Sequence, residues 1–149
     1  MIIALVGESG SGKSTIENKL HTEFGFEKIV AFTTRDLRDG EINGVDYHFI
    51  SNDTFQLSKK KGVFAELEEY SFNRFYGTTK TSYAGDKVVV LTPNGVRQVK
   101  KAMPQLDIVV VYVTAKLKTR ALRYINRSSK FTYADMNELN SRVERDFGM

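Results

Sequence analysis

The sequence predicts an α/β fold with a mainly parallel sheet flanked by helices, and three observations carry that expectation. Short, almost wholly apolar runs recur at residues 2–6, 87–91 and 107–113, the first two with the texture of buried strands and the third the clearest strand of all. Segments with apolar residues at helical spacing lie between and after these runs. A glycine-rich turn joins the first run directly to the first helical segment. Right-handed crossovers in such a fold set the loops that follow the strands along one edge, where ligands bind.

Residues 2–6, Ile2-Ile3-Ala4-Leu5-Val6, form the first buried strand. Residues 13–24 place Ile16 and Leu20 at helical spacing, and Gly25 is the stop. A second buried strand is expected at 29–32. From Thr33 to about Tyr83 the texture changes to mixed charges, glycines and aromatics. Within it, 47–50 reads as a strand, Ser51 caps a short helix running to Lys61, and 64–70 is extended. This stretch is too short to hold a large core, so it is expected to be an inserted subdomain. Residues 87–91 return to the buried-strand pattern, and Thr92-Pro93 supplies a cap and a favoured first residue for a helix to about Ala102. Residues 107–113 are the clearest strand, and 115–126 are helical and strongly basic. After the polar break Ser128-Ser129-Lys130, Thr132-Tyr133-Ala134-Asp135 resembles a capping box opening a last helix. At 149 residues the chain has room for one such domain.

Composition removes several classes of function. No apolar run approaches the ~20 residues that cross a bilayer, and residues 2–6 have neither a basic flank nor a cleavage site of the secretory kind. With no cysteine, disulfides, thiolate catalysis and a cysteine zinc site are excluded; that absence fits a reducing, cytoplasmic location. His21 and His48 lie far apart and lack metal-ligand spacing. The net charge of +4 suits a polyanionic partner, nucleotide or nucleic acid. The Lys59-Lys60-Lys61 run sits where a helix ends, so it reads as a dipole-favoured terminus and nucleic acid is not expected.

The turn Gly7-Glu8-Ser9-Gly10-Ser11-Gly12-Lys13-Ser14 matches the Walker A pattern at every fixed position. Its glycines let the backbone turn so that successive N–H groups converge on phosphate oxygens. The helix that follows adds the positive end of its dipole. Lys13 reaches the β- and γ-phosphates, and the Ser14 hydroxyl is the expected Mg²⁺ ligand. The ATP-binding set is therefore Gly7, Ser9, Gly10, Ser11, Gly12, Lys13, Ser14 and Thr15.

A second phosphate site is suggested by Arg35 and Arg38. Two arginines three apart can clamp one phosphate through charge-assisted hydrogen bonds, with Gly40 and Gly44 marking turns and Tyr47 returning a phenol. A charged surface hairpin has the same composition, so the residues alone leave both readings open.

Residues 33–49, in which TTR, R, GE, G, DY and F fall in register, resemble the GMP-binding signature of the guanylate kinases. Phe64-Ala65-Glu66 and Asn73-Arg74-Phe75-Tyr76-Gly77-Thr78 resemble that family's acidic and YGT elements. Asn94-Gly95-Val96 resembles its glycine-valine turn, Arg123 and Arg127 its paired lid arginines, and Arg142 a third on the next helix. The resemblance runs in order from residue 2 to about residue 145. It implies a P-loop NTPase fold with a core at 1–32 and 84–122, a monophosphate-binding subdomain at 33–83 and a helical lid at 123–142.

The resemblance also implies roles. Arg35, Arg38, Tyr47 and Tyr76 would hold the monophosphate. Glu66 would accept from the base's N–H edge and Thr78 would donate to its carbonyl. Lys13, Arg35, Arg123, Arg127 and Arg142 would stabilise the transferring group. Counting back from Tyr76, the family spacing needs one inserted residue, so Glu68 or Glu69 also fit the base-reading position. The implied reaction is Mg²⁺-dependent transfer of the ATP γ-phosphoryl group to a purine nucleoside monophosphate, GMP or dGMP foremost, giving ADP and a diphosphate.

Departures from the family keep alternatives in view. Val90-Leu91-Thr92 lacks the family's aspartates, and Ala31 replaces its serine ahead of TTR. The segment between Arg127 and Arg142 is longer, with Phe131 and Tyr133 expected to pack or close the lid. The family continues into a further core strand and helix past the position of Met149, so the expectation is either a minimal form or a truncated one. A same-fold kinase for another monophosphate, a binding module without catalysis, and a P-loop ATPase acting on nucleic acid are the rival readings.

Overall fold

The computed structural model describes residues 1–71, 73–126 and 132–147. In chain order the elements are β1 (Ile2–Val6), α1 (Lys13–Phe24), β2 (Glu27–Lys28), β3 (Phe32–Thr33), β4 (His48–Phe49), α2 (Asn52–Lys60) and β5 (Phe64–Ser71). Then follow β6 (Arg74–Thr79), a short 3₁₀ turn (Lys80–Tyr83), β7 (Lys87–Val90), α3 (Pro93–Ala102), β8 (Ile108–Tyr112), α4 (Leu117–Ile125) and α5 (Tyr133–Phe147).

The core sheet has the order β2-β7-β1-β8 and is parallel throughout. The apolar run of β1 is explained by its central place: Ile2, Ala4, Leu5 and Val6 are all buried. Side chains alternate between the two faces. Ile2, Ala4 and Val6 pack with Val89, Leu91, Val96 and Val99 on the α3 side. Leu5 and Val88 pack with Ile16 and Leu20 on the α1 side. Thr92 caps α3 by accepting from Gly95 N–H at 2.8 Å, and Ser51 caps α2 by accepting from Thr54 N–H at 3.2 Å. The capping box also forms, with the Asp135 carboxylate accepting from Thr132 N–H at 2.7 Å.

The second sheet has the order β4-β3-β6-β5 and carries a small aromatic core of its own. Phe55 stacks on Phe64 at 4.5 Å and on Phe75 at 5.4 Å between ring centroids, with Phe32, Ile50 and Leu67 around them. Gln98 ties α3, which packs on the core sheet, to the second sheet. Its side chain accepts from Leu67 N–H and donates to Leu67 carbonyl, each at 3.1 Å.

The structure corrects the strand expected at 29–32. The core strand is Glu27–Lys28, extended by Ile29 N–H donating to Val88 carbonyl at 2.9 Å, and Phe32–Thr33 already belongs to the other sheet. Ile29 is buried in the large core and Phe32 packs on the aromatic one, so the apolar run straddles two cores. The strand β6 was not anticipated, and the strand expected at 47–50 is only two residues long. β8 lies at the sheet edge among the described residues, and Val109, Val110, Val111 and Tyr112 are all exposed. No helix among the described residues is long and apolar enough to cross a membrane.

Candidate functional site

The loop between β1 and α1 is shaped by its glycines. Gly7 has φ +148°, and a Cβ there would sit 2.0 Å from the carbonyl oxygen of Val113, so only glycine fits. Gly10, at φ +77°, lets α4 approach: a Cβ would meet Arg120 backbone oxygen at 3.0 Å. Lys13 Nζ donates to the carbonyls of Gly7 at 2.7 Å and Glu8 at 2.9 Å, folding its ammonium back over the loop. Ser14 and Thr15, on the first turn of α1, are exposed. The first N–H groups of a helix have no intrahelical acceptor, so this turn points donors and a positive dipole end outward. The Ser11 hydroxyl is buried with no hydrogen-bond partner among the described residues.

Arginines come down on this loop from the C-terminal half. Arg123 Nη1 donates to the carbonyls of Gly10 and Ser11, each at 3.0 Å. Arg142 Nη1 donates to Ser9 Oγ at 3.1 Å, with its guanidinium 5.3 Å from the centre of the Tyr124 ring. Arg127 and Phe131 lie outside the described residues, as does the side chain of Tyr133. Sequence reasoning missed Arg120, which is buried with Nη1 3.4 Å from the Ser9 carbonyl oxygen. The signal was available: Arg120 precedes Arg123 by one helical turn and shares its face.

The second sheet brings Arg35, Tyr47 and Tyr76 together. The guanidinium of Arg35 lies 5.2 Å from the Tyr47 ring and 5.3 Å from Phe49, and Tyr47 meets Tyr76 edge-on at 5.7 Å. Glu41, which sequence reasoning gave no role, grips Arg35: Nη1 donates to Oε2 at 2.7 Å and Nη2 donates to Oε1. Glu41 Oε2 also accepts from Arg38 N–H at 2.9 Å. The hydrogen bond from Arg35 holds the Glu41 carboxyl below the usual carboxylate range, and Glu41 in turn holds the Arg35 guanidinium more firmly protonated. Burial pushes the Tyr47 phenol up. A groove is lined by Thr34, Arg35, Asp36, Leu37, Arg38 and Arg74, three arginines against one aspartate.

The second sheet also carries a buried polar cluster. Glu66 pairs across the hairpin with Thr78, whose hydroxyl donates to Glu66 Oε1 at 2.9 Å and lies 2.7 Å from Tyr83 Oη. Burial pushes the Glu66 carboxyl up to about 7; the Thr78 hydrogen bond opposes this and the nearby Glu68 charge adds to it. Of the three acids open to the base-reading position, Glu66 is the buried one, Glu68 is half-buried and Glu69 is exposed. The pairing of β5 with β6 shifts register twice, between Phe64 and Glu66 and between Glu69 and Ser71, so the strand accommodates extra residues on either side of these acids. Ala31 carries no polar group into this cluster. Thr92 caps α3 and also donates to Glu68 Oε1 at 2.9 Å.

A family model described as guanylate kinase matches residues 1–149. The chain is similar to the guanylate kinase of Lactobacillus johnsonii, 36% identical over 138 residues, which covers 87% of this chain and 66% of the relative. It is similar to that of Lactiplantibacillus plantarum at 35% identity, covering 97% of this chain and 71% of the relative. With the guanylate kinase of Sus scrofa it shares 40% identity over 74% of this chain and 58% of the relative. The chain thus spans about two thirds of the length of these proteins. In fold it resembles the crystal structure of guanylate kinase from Anaplasma phagocytophilum, with a TM-score of 0.63 and 21% identity over 97% of this chain and 69% of that one.

Proposed function

The chain belongs to the guanylate kinase family, and from that premise we propose that it transfers the γ-phosphoryl group of ATP to GMP or dGMP, giving ADP and the nucleoside diphosphate. The observation that carries the proposal is two separate clusters of cationic side chains in one fold, each suited to a phosphate. The P-loop, with Lys13 folded over it, is one; the groove lined by Arg35, Arg38 and Arg74 is the other. Phosphoryl transfer requires two phosphates held in line and their charge neutralised, with little covalent help from the protein.

In this reading Gly7, Ser9, Gly10, Ser11, Gly12, Lys13, Ser14 and Thr15 bind the donor. Lys13 exchanges its carbonyl acceptors for β- and γ-phosphate oxygens, a charge-assisted gain. Arg35, Arg38, Tyr47 and Tyr76 hold the acceptor phosphate, and Glu66 and Thr78 face its base. Arg123 and Arg142 leave the loop and, with Arg127, close over the transferring group, excluding water. The segments 33–83 and 123–142 act as the acceptor-binding subdomain and the lid on a core of 1–32 and 84–122. Work in the cytoplasm is part of the same proposal, in keeping with a chain that has no cysteine.

Mg²⁺ fits the donor set. Among the described residues no cluster of three acidic or histidine side chains could cage a metal, but Mg²⁺ retains several waters and binds largely through substrate phosphates. One exposed hydroxyl, that of Ser14, is the oxygen this chain would contribute. The ion would neutralise charge on the β- and γ-phosphates.

ADP release measured with ATP and a panel of nucleoside monophosphates, with and without Mg²⁺, tests the proposal. Turnover confined to GMP and dGMP supports it, and turnover on a pyrimidine monophosphate alone contradicts it.

A further inference from the structure

Two carboxylates reach the first turn of α3 from β5. Glu66 and Glu68 are two residues apart on one strand and so share a face. The register is regular between them, with Glu66 opposite Thr78 and Glu68 opposite Tyr76. Glu68 Oε1 accepts from Thr92 Oγ1 at 2.9 Å, Asn94 Nδ2 at 2.9 Å and Gln98 Nε2 at 3.4 Å. Glu66 Oε2 lies 3.4 Å from the place a Cβ on Gly95 would take, so it meets the same turn. The side-chain donors to the two carboxylates among the described residues all fall on Oε1. Each side chain is thereby anchored by one oxygen, and Oε2 of each remains as an acceptor.

The stretch Val90-Leu91-Thr92 at the end of β7 contributes no carboxylate. Glu68 brings one to that position from the neighbouring sheet, held by the Thr92 hydroxyl itself. Its anchors are three donors on α3 and its cap, which fix the side chain in place far more firmly than an exposed acid would be. Glu69, its neighbour, is exposed and has no such anchors among the described residues.

Guanine presents two adjacent donors on one edge, N1–H and the exocyclic 2-amino group. Hypoxanthine keeps the first and lacks the second. We propose that Glu68 is a specificity-determining residue, its Oε2 accepting from the 2-amino group while Glu66 Oε2 accepts from N1–H. This rests on the kinase reading above and assigns the residue that separates guanine from hypoxanthine. A site built to accept a hydrogen bond rejects an analogue that cannot donate it, because its acceptor is left desolvated and unpaired.

The test compares kcat/KM for GMP and inosine monophosphate in the wild-type chain and in Glu68→Gln. Glutamine keeps a carbonyl oxygen for Thr92 and Asn94 but offers an N–H where Oε2 stood, donor against donor. The GMP-over-IMP ratio is expected to fall about 10-fold or more, carried mainly by KM for GMP. Asn94→Ala, which removes one anchor, moves the ratio the same way by less and serves if Glu68→Gln fails to fold. Glu69→Gln leaves the ratio within about 2-fold. A ratio unchanged in Glu68→Gln and Asn94→Ala, or a wild-type chain that uses GMP and IMP alike, overturns the assignment and leaves the kinase reading standing. A wild-type chain that phosphorylates neither overturns the kinase reading itself.

Discussion

Glu41 holds Arg35 by both ends of its guanidinium, Nη1 donating to Oε2 at 2.7 Å and Nη2 donating to Oε1. The carboxylate fixes the plane of the arginine, and the rings of Tyr47 and Phe49 lie beside it. Planarity, a two-pronged fork and stacking are properties of arginine that lysine lacks. Arg35→Lys is therefore expected to lower kcat/KM for the monophosphate about 100-fold, close to the loss from Arg35→Ala. Steady-state kinetics of both variants check this, and activity within about 3-fold of wild type in Arg35→Lys would contradict it.

Lys13 spends its ammonium on two loop carbonyls at 2.7 and 2.9 Å. Those bonds stabilise the loop modestly, while the same charge on developing phosphate oxygens acts in a water-poor site. Lys13→Ala should keep the fold, with thermal midpoint shifted by no more than a few degrees, and lose on the order of 10³-fold in kcat. A variant that retains a tenth of the wild-type rate would sink the donor-site assignment.

Gly7 cannot be replaced. A Cβ would stand 2.0 Å from the Val113 carbonyl oxygen, and φ +148° is closed to other residues. Neither the strand end nor β1 can yield, since both belong to the core sheet. Gly7→Ala is expected to cost more than about 3 kcal/mol or to prevent soluble expression. Urea denaturation of Gly7→Ala beside Gly85→Ala gives the comparison, because Gly85 has nothing within 4 Å and bears only the strain of its φ.

Glu66 gives the nucleotide-free protein a pH signature. Its folded carboxyl titrates at about 7 against an ordinary 4.5, with burial the leading cause. The folded state thus holds this proton more tightly than the unfolded one between those values. Stability falls as pH rises from about 4.5 to about 7 and levels off above, by on the order of 2–3 kcal/mol. Glu66→Gln removes the dependence, so urea midpoints of the two proteins should converge near pH 4.5 and separate at pH 8 in favour of the variant. The acceptor that meets the base is the ionised form, so KM for GMP should fall as pH climbs through about 7. Parallel stability profiles for the two proteins would show that Glu66 is not the titrating group.

Much of this arrangement is legible in the residues themselves. The first helix was expected at 13–24 from Ile16, Leu20 and Gly25, and it spans Lys13–Phe24. The caps at Ser51, Thr92 and Thr132 follow from side-chain chemistry one turn away from the N–H groups they satisfy. What escaped depends on partners distant in sequence. Ile29 and Phe32 look alike locally yet serve different cores. The strand β6 hides because Gly77 interrupts its alternation; a Cβ there would be 2.9 Å from the Glu66 carbonyl oxygen, a demand only the paired strand explains. Which of Glu66, Glu68 and Glu69 is buried depends on pairing with β6 and on shifts at either end of that stretch of β5, which no local pattern announces. Glu41 looked like one acid in a charged run until Arg35 folded back on it.

The most direct measurement follows the phosphorus atom. ATP labelled in the γ-phosphate is mixed with GMP, Mg²⁺ and the wild-type chain, and the products are separated. The account predicts label in GDP, in step with ADP formed, lost when GMP, Mg²⁺ or Lys13 is removed. Label released only as inorganic phosphate, at a rate indifferent to GMP, would contradict it.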